Sequence, residues 1–104
     1  MKKTAVLVIL SILVLAFASV ASAEEAAAIY KSKCAMCHGA TGAADTGMGK
    51  TLKLRALGSA DVQKLTDDEL NTIITKGKGK MPAYGTKLSA DDIKGLVKFI
   101  RTLK

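Results

Sequence analysis

Length, composition and charge limit what this chain can be. It has 104 residues and a formal net charge of +7, with two cysteines, one histidine and no tryptophan. That length accommodates one domain at most, which excludes a multi-domain enzyme and a protein with several membrane spans. Aromatic residues make up only 4% of the chain, so its hydrophobic core is small. Domains of this kind usually need disulfides, a metal or another bound group, and two cysteines cannot form a disulfide framework.

Residues 1–23 have the three-part layout of a secretory signal peptide. Two lysines follow Met1, an apolar stretch with a single serine covers residues 5–18, and small residues occupy positions 21–23. The apolar stretch is shorter than the roughly 20 residues that span a bilayer, which favours cleavage over retention as an anchor. We therefore predict a periplasmic protein whose mature domain is residues 24–104. An uncleaved N-terminal anchor is the alternative.

The mature sequence predicts an all-α fold with long loops. Apolar residues recur at helical spacing over residues 25–33, and a short helix is expected over residues 59–65. Four glycines between positions 39 and 50 predict a loop in that stretch. No stretch alternates apolar and polar residues convincingly enough to indicate a strand.

Two longer helices have clear start signals. Capping boxes begin at Thr66 and Ser89, and Gly77 is a natural end for the first of these helices. The final helix is expected to run towards Leu103. Gly95 weakens that helix by roughly 1 kcal/mol relative to alanine, which indicates a close helix crossing. The apolar face of the final helix contains Ile93, Leu96, Val97, Ile100 and Leu103, with Phe99 beside it.

One five-residue segment contains both cysteines and the only histidine of the chain. Its sequence is Cys34-Ala35-Met36-Cys37-His38. On one helical turn the two thiols can add to the two vinyl groups of one porphyrin, and the imidazole that follows can ligate the iron. This spacing is typical of c-type haem attachment. We predict that Cys34 and Cys37 attach one haem c through thioethers and that His38 is an axial iron ligand.

Three other uses of this segment fit the sequence less well. A thioredoxin-like redox pair needs a strand before the motif, and a helix is predicted there. A zinc site needs about four ligands, and a structural disulfide leaves the adjacent histidine unexplained. A haem also supplies the missing apolar bulk, and its binding energy then contributes to folding. The side chains expected to pack on or around it are Ile29, Tyr30, Leu52, Leu54, Leu57, Ile73, Ile74 and Phe99.

The sixth iron ligand has to come from a methionine, a lysine or no residue of this chain, because there is no second histidine. Met36 lies inside the attachment segment and cannot reach across the ring, and Met48 follows His38 too closely. Met81 is far enough along the chain, with glycines before it and the rigid Pro82 after it. A thioether is a good ligand for haem iron, so Met81 is the favoured candidate. The alternative is that Met81 fills a gap in the core.

The sequence resembles the class I cytochromes c over essentially all of residues 24–104, and most closely the short bacterial and algal carriers. The resemblance rests on the attachment segment, on Lys-Met-Pro-Ala-Tyr-Gly at 80–85 and on Leu-Val-Lys-Phe-Ile-Arg at 96–101. It implies three to five helices with long loops wrapped around one covalently bound haem. It also implies iron ligation by His38 and Met81.

The resemblance further implies a crossing of the first and last helices. By position, Ala26 on the first helix, with Tyr30 beside it, would meet Phe99 on the last helix. The family often has glycine where this chain has Ala26, so we expect a slightly wider crossing.

Ligation by histidine and methionine fills both axial positions and indicates an electron carrier. We expect a periplasmic monohaem protein that passes one electron at a time and is not an enzyme. A labile Met81 would instead open the iron to a small gas or to peroxide. A third possibility is a purely structural or interaction domain without haem.

The partners are expected to be redox proteins with an acidic docking face. Five lysines lie close in sequence to the predicted haem ligands, and such a cluster steers docking. The alternative is that they are ordinary solvated lysines. We expect a monomer with no nucleic-acid partner and no membrane span after signal cleavage. The five residues are Lys33, Lys76, Lys78, Lys80 and Lys87.

Overall fold

A computed structural model describes residues 22–104, so the predicted signal segment lies, except for its last two residues, outside the described part. Within 22–104 the chain forms six helical segments and no strand, with one isolated bridge between Lys78 and Met81. The predicted all-α class is confirmed. None of the helices in these residues is long and apolar enough to cross a membrane. The segments are α1 (22–33), α2 (Ala35–His38), α3 (Gly47–Thr51), α4 (Ala60–Gln63), α5 (Asp67–Lys76) and α6 (Ala90–Arg101).

Both predicted capping boxes are present. The Thr66 hydroxyl accepts a hydrogen bond from the Glu69 amide, and the Glu69 carboxylate accepts one from the Thr66 amide. Ser89 starts α6 with the same reciprocal pair. Each cap contributes about 1 kcal/mol to helix stability. α5 ends at Gly77 as predicted, whereas α6 ends at Arg101 rather than at Leu103.

The core lies where α1, α5 and α6 meet. The predicted apolar face of α6 is confirmed, because four of its side chains are buried: Ile93, Leu96, Val97 and Ile100. Leu96 is the most deeply buried of them, with 1% of its surface exposed. Leu103 and Phe99 are half-buried and pack against this core. The core cluster consists of Tyr30, Val62, Leu70, Ile74, Ile93, Leu96, Val97 and Ile100.

The crossing of α1 and α6 is close at Gly95. A Cβ atom built on Gly95 would lie 3.3 Å from the Cβ of Ala26, which confirms the predicted close approach. One turn further along each helix, the rings of Tyr30 and Phe99 pack with their centroids 4.7 Å apart. Ala26 therefore meets Gly95, while the aromatic contact belongs to Tyr30. The small residue that lets the helices approach lies on α6.

The prediction of a continuous loop over residues 39–50 is wrong at its end, where α3 begins. Thr46 starts this helix, because its hydroxyl accepts a hydrogen bond from the Gly49 amide. Gly49 faces α2 so closely that a Cβ there would lie 2.6 Å from the carbonyl oxygens of Cys37 and Ala44. With α3 included, the described residues form six helical segments, one more than the three to five helices that the resemblance implies. Gly49, one of the glycines that indicated a loop, serves helix packing instead, whereas a Cβ on Gly47 would meet nothing within 4 Å.

A leucine at position 95 tests the crossing. We expect Gly95→Leu to lower the free energy of unfolding by about 1–2 kcal/mol, because overpacking against Ala26 outweighs the gain in helix propensity. Lys98→Leu, at an exposed position of the same helix, should change it by less than about 0.5 kcal/mol. Denaturant unfolding followed by circular dichroism measures both. Equal effects of the two variants would show that the crossing has room for a side chain.

Candidate functional site

The attachment segment forms one helical turn directly after α1, as predicted. The Cys34 amide donates to the carbonyl of Tyr30 at 2.8 Å, which continues the path of α1, and the His38 amide donates to the carbonyl of Cys34 at 3.0 Å. Cys34, Cys37 and His38 are all half-buried. Both cysteines are free thiols, so the structure contains no disulfide between them.

Side chains from outside the segment bind its carbonyl groups. The buried Tyr30 hydroxyl donates to the carbonyl of Gly39 at 2.6 Å, immediately after His38. The Thr46 hydroxyl donates to the carbonyl of Cys37 at 2.8 Å. Because Thr46 also caps α3, the start of α3 and the end of α2 share one hydroxyl group. These bonds fix the direction in which the turn presents its side chains.

Burial favours the uncharged forms of Cys34 and His38. It raises the pKa of the Cys34 thiol to about 11, with a smaller contribution from Cys37. Burial also lowers the pKa of His38, which favours the neutral imidazole that ligates metals. The Nδ1 atom of His38 is buried and has no hydrogen-bond partner within residues 22–104.

The side chains expected around a haem leave apolar surface that fits a large apolar group with its own metal. Among the described residues, no three His, Cys, Asp or Glu side chains converge to hold a bare metal ion. Of the eight side chains expected around a haem, Tyr30 and Ile74 belong to the core cluster. Three others, Leu52, Leu54 and Ile73, are half-buried without packing on that cluster, so they have apolar surface to offer such a group. The remaining three pack against the cluster from its edge: Ile29, Leu57 and Phe99.

Met81 lies in a loop that folds back onto the end of α5. Lys78 and Met81 exchange two backbone hydrogen bonds around a two-residue turn. The loop starts at Gly77, where φ is +74° and a Cβ would lie 2.6 Å from the carbonyl oxygen of Met81. On the other side of Met81, the amides of Tyr84 and Gly85 donate to carbonyls in the last turn of α5. The backbone around Met81 is therefore held on both sides.

The three methionines of the described residues differ in exposure. Met36 is 76% exposed and Met48 is 47% exposed, whereas Met81 is half-buried and packs against the core cluster. Cys34 packs against the same cluster. Met81 and Cys34 thus both pack against the core cluster, whereas Met36 and Met48 face solvent.

Tyr84 connects the Met81 loop to the attachment segment. Its hydroxyl donates to the carbonyl of Lys33, the residue before Cys34, at 3.1 Å. From the sequence we expect Tyr84 to pack against the ligand loop, with a hydrogen bond to a haem propionate as the alternative. No local signal could reveal this contact, because the two residues are 51 positions apart.

Comparison with known proteins identifies the family. A family profile described as cytochrome c oxidase, cbb3-type, subunit III matches residues 21–100. The chain is 37% identical over 100 residues to cytochrome c-553 of Helicobacter pylori, an alignment that covers 93% of this chain and 97% of that protein. It is 35% identical over 79 residues to cytochrome c6 of Microcystis aeruginosa, which covers 73% and 90% respectively. The chain belongs to the class I cytochrome c family.

A solved structure agrees with this assignment. The KustC0563 c-type cytochrome superposes with a TM-score of 0.70 at 30% identity, covering 75% of this chain and 95% of that one. The predicted family, fold class and haem c cofactor are confirmed. The protein is a c-type cytochrome and an electron carrier rather than an enzyme. The assignment of Cys34, Cys37, His38 and Met81 as its haem-binding residues remains a prediction.

The buried hydroxyl of Tyr30 generates a prediction about alkaline stability. Burial is the main reason that the pKa of Tyr30 is raised to about 12, from about 10 in an unfolded chain. Between these values the folded state binds more protons than the unfolded state. The stabilising contribution of Tyr30 is therefore complete below pH ~10 and is lost as the pH rises towards ~12. The free energy of unfolding, measured across this pH range, should fall less steeply for Tyr30→Phe than for the unchanged cytochrome. Identical slopes would contradict the assignment.

Proposed function

We propose that this cytochrome is an exported, periplasmic carrier of single electrons whose haem iron is ligated by His38 and Met81. Thioethers at Cys34 and Cys37 would attach the haem. The observation that carries the proposal is the difference in burial among the methionines. Met81 packs on the same core cluster as Cys34, in a loop with a fixed backbone. When bound, the haem supplies reversible one-electron chemistry at its iron.

The residues of this chain support that chemistry in three ways. Burial of His38 favours the neutral ring, which is the form that donates to iron. The paired backbone of Lys78 and Met81 orients the thioether. Held by His38 and Met81, the iron would have no free position for a substrate, and this fits a carrier.

Export is proposed on the layout of residues 1–23. The basic start, the apolar stretch and the small residues at 21–23 support cleavage by a signal peptidase. The mature protein would then begin at Glu24. N-terminal sequencing of the protein released from the periplasm checks this directly, and an intact Met1 in a membrane fraction would favour the anchor.

The redox partners of this cytochrome are proposed to carry an acidic docking face. All five lysines singled out by the sequence are exposed. Within residues 22–104 none of them takes part in a salt bridge. The three salt bridges found there join Arg55, Lys64 and Arg101 to aspartates. Three of the five, Lys78, Lys80 and Lys87, lie in or next to the Met81 loop. Unpaired positive charge beside the haem-binding residues would steer a negatively charged partner. We propose that the carrier acts as a monomer.

Replacing Met81 tests the ligand assignment. We expect Met81→Ala to lose the weak far-red iron–methionine band of the oxidised protein and to bind carbon monoxide at once when reduced. Met48→Ala, which removes an exposed thioether, is the matched control and should keep the band. Visible spectra of both holoproteins decide. A band that survives in Met81→Ala would rule out Met81 as the ligand.

Charge reversal at the loop tests the docking surface. The double change Lys78→Glu and Lys80→Glu should lower the rate of electron transfer to an acidic partner by roughly tenfold or more at low salt. It should also flatten the dependence of that rate on ionic strength. Lys98→Glu with Lys104→Glu alters net charge equally at other exposed positions. Stopped-flow kinetics over a range of salt concentrations would refute steering if both double variants behaved alike.

A further inference from the structure

The two tyrosines of the chain bind opposite ends of the attachment segment. Tyr30 donates to the carbonyl of Gly39, just after the segment, and Tyr84 donates to the carbonyl of Lys33, just before it. The two bonds differ in what they join. Tyr30 belongs to α1, which runs directly into the segment, and its hydroxyl is buried. Tyr84 is half-buried. Because it comes from the Met81 loop, its bond joins two parts of the chain that are distant in sequence.

The Tyr84 bond is the one direct polar link between the Met81 loop and α1 among the described residues. The other hydrogen bonds of the loop are internal, between Lys78 and Met81, or go to the end of α5. No salt bridge within 22–104 involves the loop. Lys33, Lys78 and Lys80 are all positively charged, so simple electrostatics gives the loop no attraction to this end of α1.

The ring of Tyr84 has a fixed setting of its own. The amino group of Lys87 lies 5.5 Å from the ring centroid, within the range of a cation–π contact. The amides of Lys87 and Leu88 donate to the carbonyl of Tyr84. These contacts are local to the loop, so they orient the hydroxyl but do not attach the loop to α1.

We propose that Tyr84 is a positioning residue that latches the Met81 loop onto the end of α1, directly before the attachment segment. The hydrogen bond from Tyr84 to Lys33 stabilises the closed loop, and its loss raises the fraction of molecules in which the loop has moved away. Because the proposal rests on ligation of the iron by Met81, the latch sets how often the sixth coordination position opens. The latch does not contact the haem iron and acts only through the loop.

Holoproteins with Tyr84→Phe and Tyr30→Phe test the latch. Each change removes one hydroxyl that bonds a carbonyl at one end of the same segment, but only Tyr84→Phe detaches the loop. The rate of carbon monoxide binding to the reduced protein measures opening at the iron. Amide hydrogen exchange at Lys78 and Met81 measures opening of the loop independently of the haem.

We expect both quantities to rise by about two- to tenfold in Tyr84→Phe, the factor that corresponds to one hydrogen bond. Tyr30→Phe should leave hydrogen exchange at Lys78 and Met81 within twofold of the unchanged protein, although its thermal midpoint falls. The proposal is overturned if Tyr84→Phe leaves loop exchange unchanged, or if Tyr30→Phe accelerates it equally.

The two readouts separate failure of the latch from failure of the ligand assignment. If the unchanged protein has no iron–methionine band, ligation by Met81 is wrong, and exchange at Lys78 and Met81 still decides whether Tyr84 holds the loop. If the band is present and Tyr84→Phe changes neither rate, the ligation stands and the latch is refuted.

Discussion

A turn of four helical residues cannot maintain its own shape, and the haem-binding side of this cytochrome is organised around that constraint. α2 runs only from Ala35 to His38, and a helix this short leaves most of its amides and carbonyls without partners. The surrounding chain supplies them. α1 leads directly into the turn, Tyr30 and Thr46 bind its last carbonyls, and α3 packs against it at Gly49. Residues outside α2 therefore hold the cysteines and the histidine in position.

The hydrophobic core of the described residues is also small. Eight buried side chains from α1, α4, α5 and α6 form the cluster, a small set for a folded domain. Leu52, Leu54 and Ile73 are half-buried and do not pack against this cluster, so they leave apolar surface outside the core. A covalently attached macrocycle completes such an interior, and its attachment then contributes to the stability of the fold. Folding and cofactor loading are linked for this reason.

Local signals in the sequence predicted the elements that depend on local chemistry. The capping boxes at Thr66 and Ser89 and the stop at Gly77 were confirmed because each needs only neighbouring residues. The haem c cofactor followed from the spacing of the two cysteines and the histidine. α3 was missed because its cap, Thr46, is surrounded by glycines that indicate a loop when considered alone.

Long-range features were beyond the reach of pattern and spacing. The resemblance implied that Ala26 faces an aromatic residue, yet the close contact of Ala26 is with Gly95, and that pairing depends on how two helices cross. The hydrogen bond from Tyr84 to Lys33 depends on the path of the whole intervening chain. Met81 was favoured as a ligand by its distance from His38 and by the resemblance, and the structure adds the fixed loop in which this residue lies.

The exposure of Met36 has a practical consequence for work on this cytochrome. Position 36 lies between the two cysteines, yet its side chain is 76% exposed and contributes almost nothing to the core. A residue that carries a spectroscopic probe or a tether to an electrode can therefore stand there without a cavity or a clash. It would sit on the turn that is proposed to bear the cofactor. The proposed attachment segment thus offers an open position for chemistry added from outside.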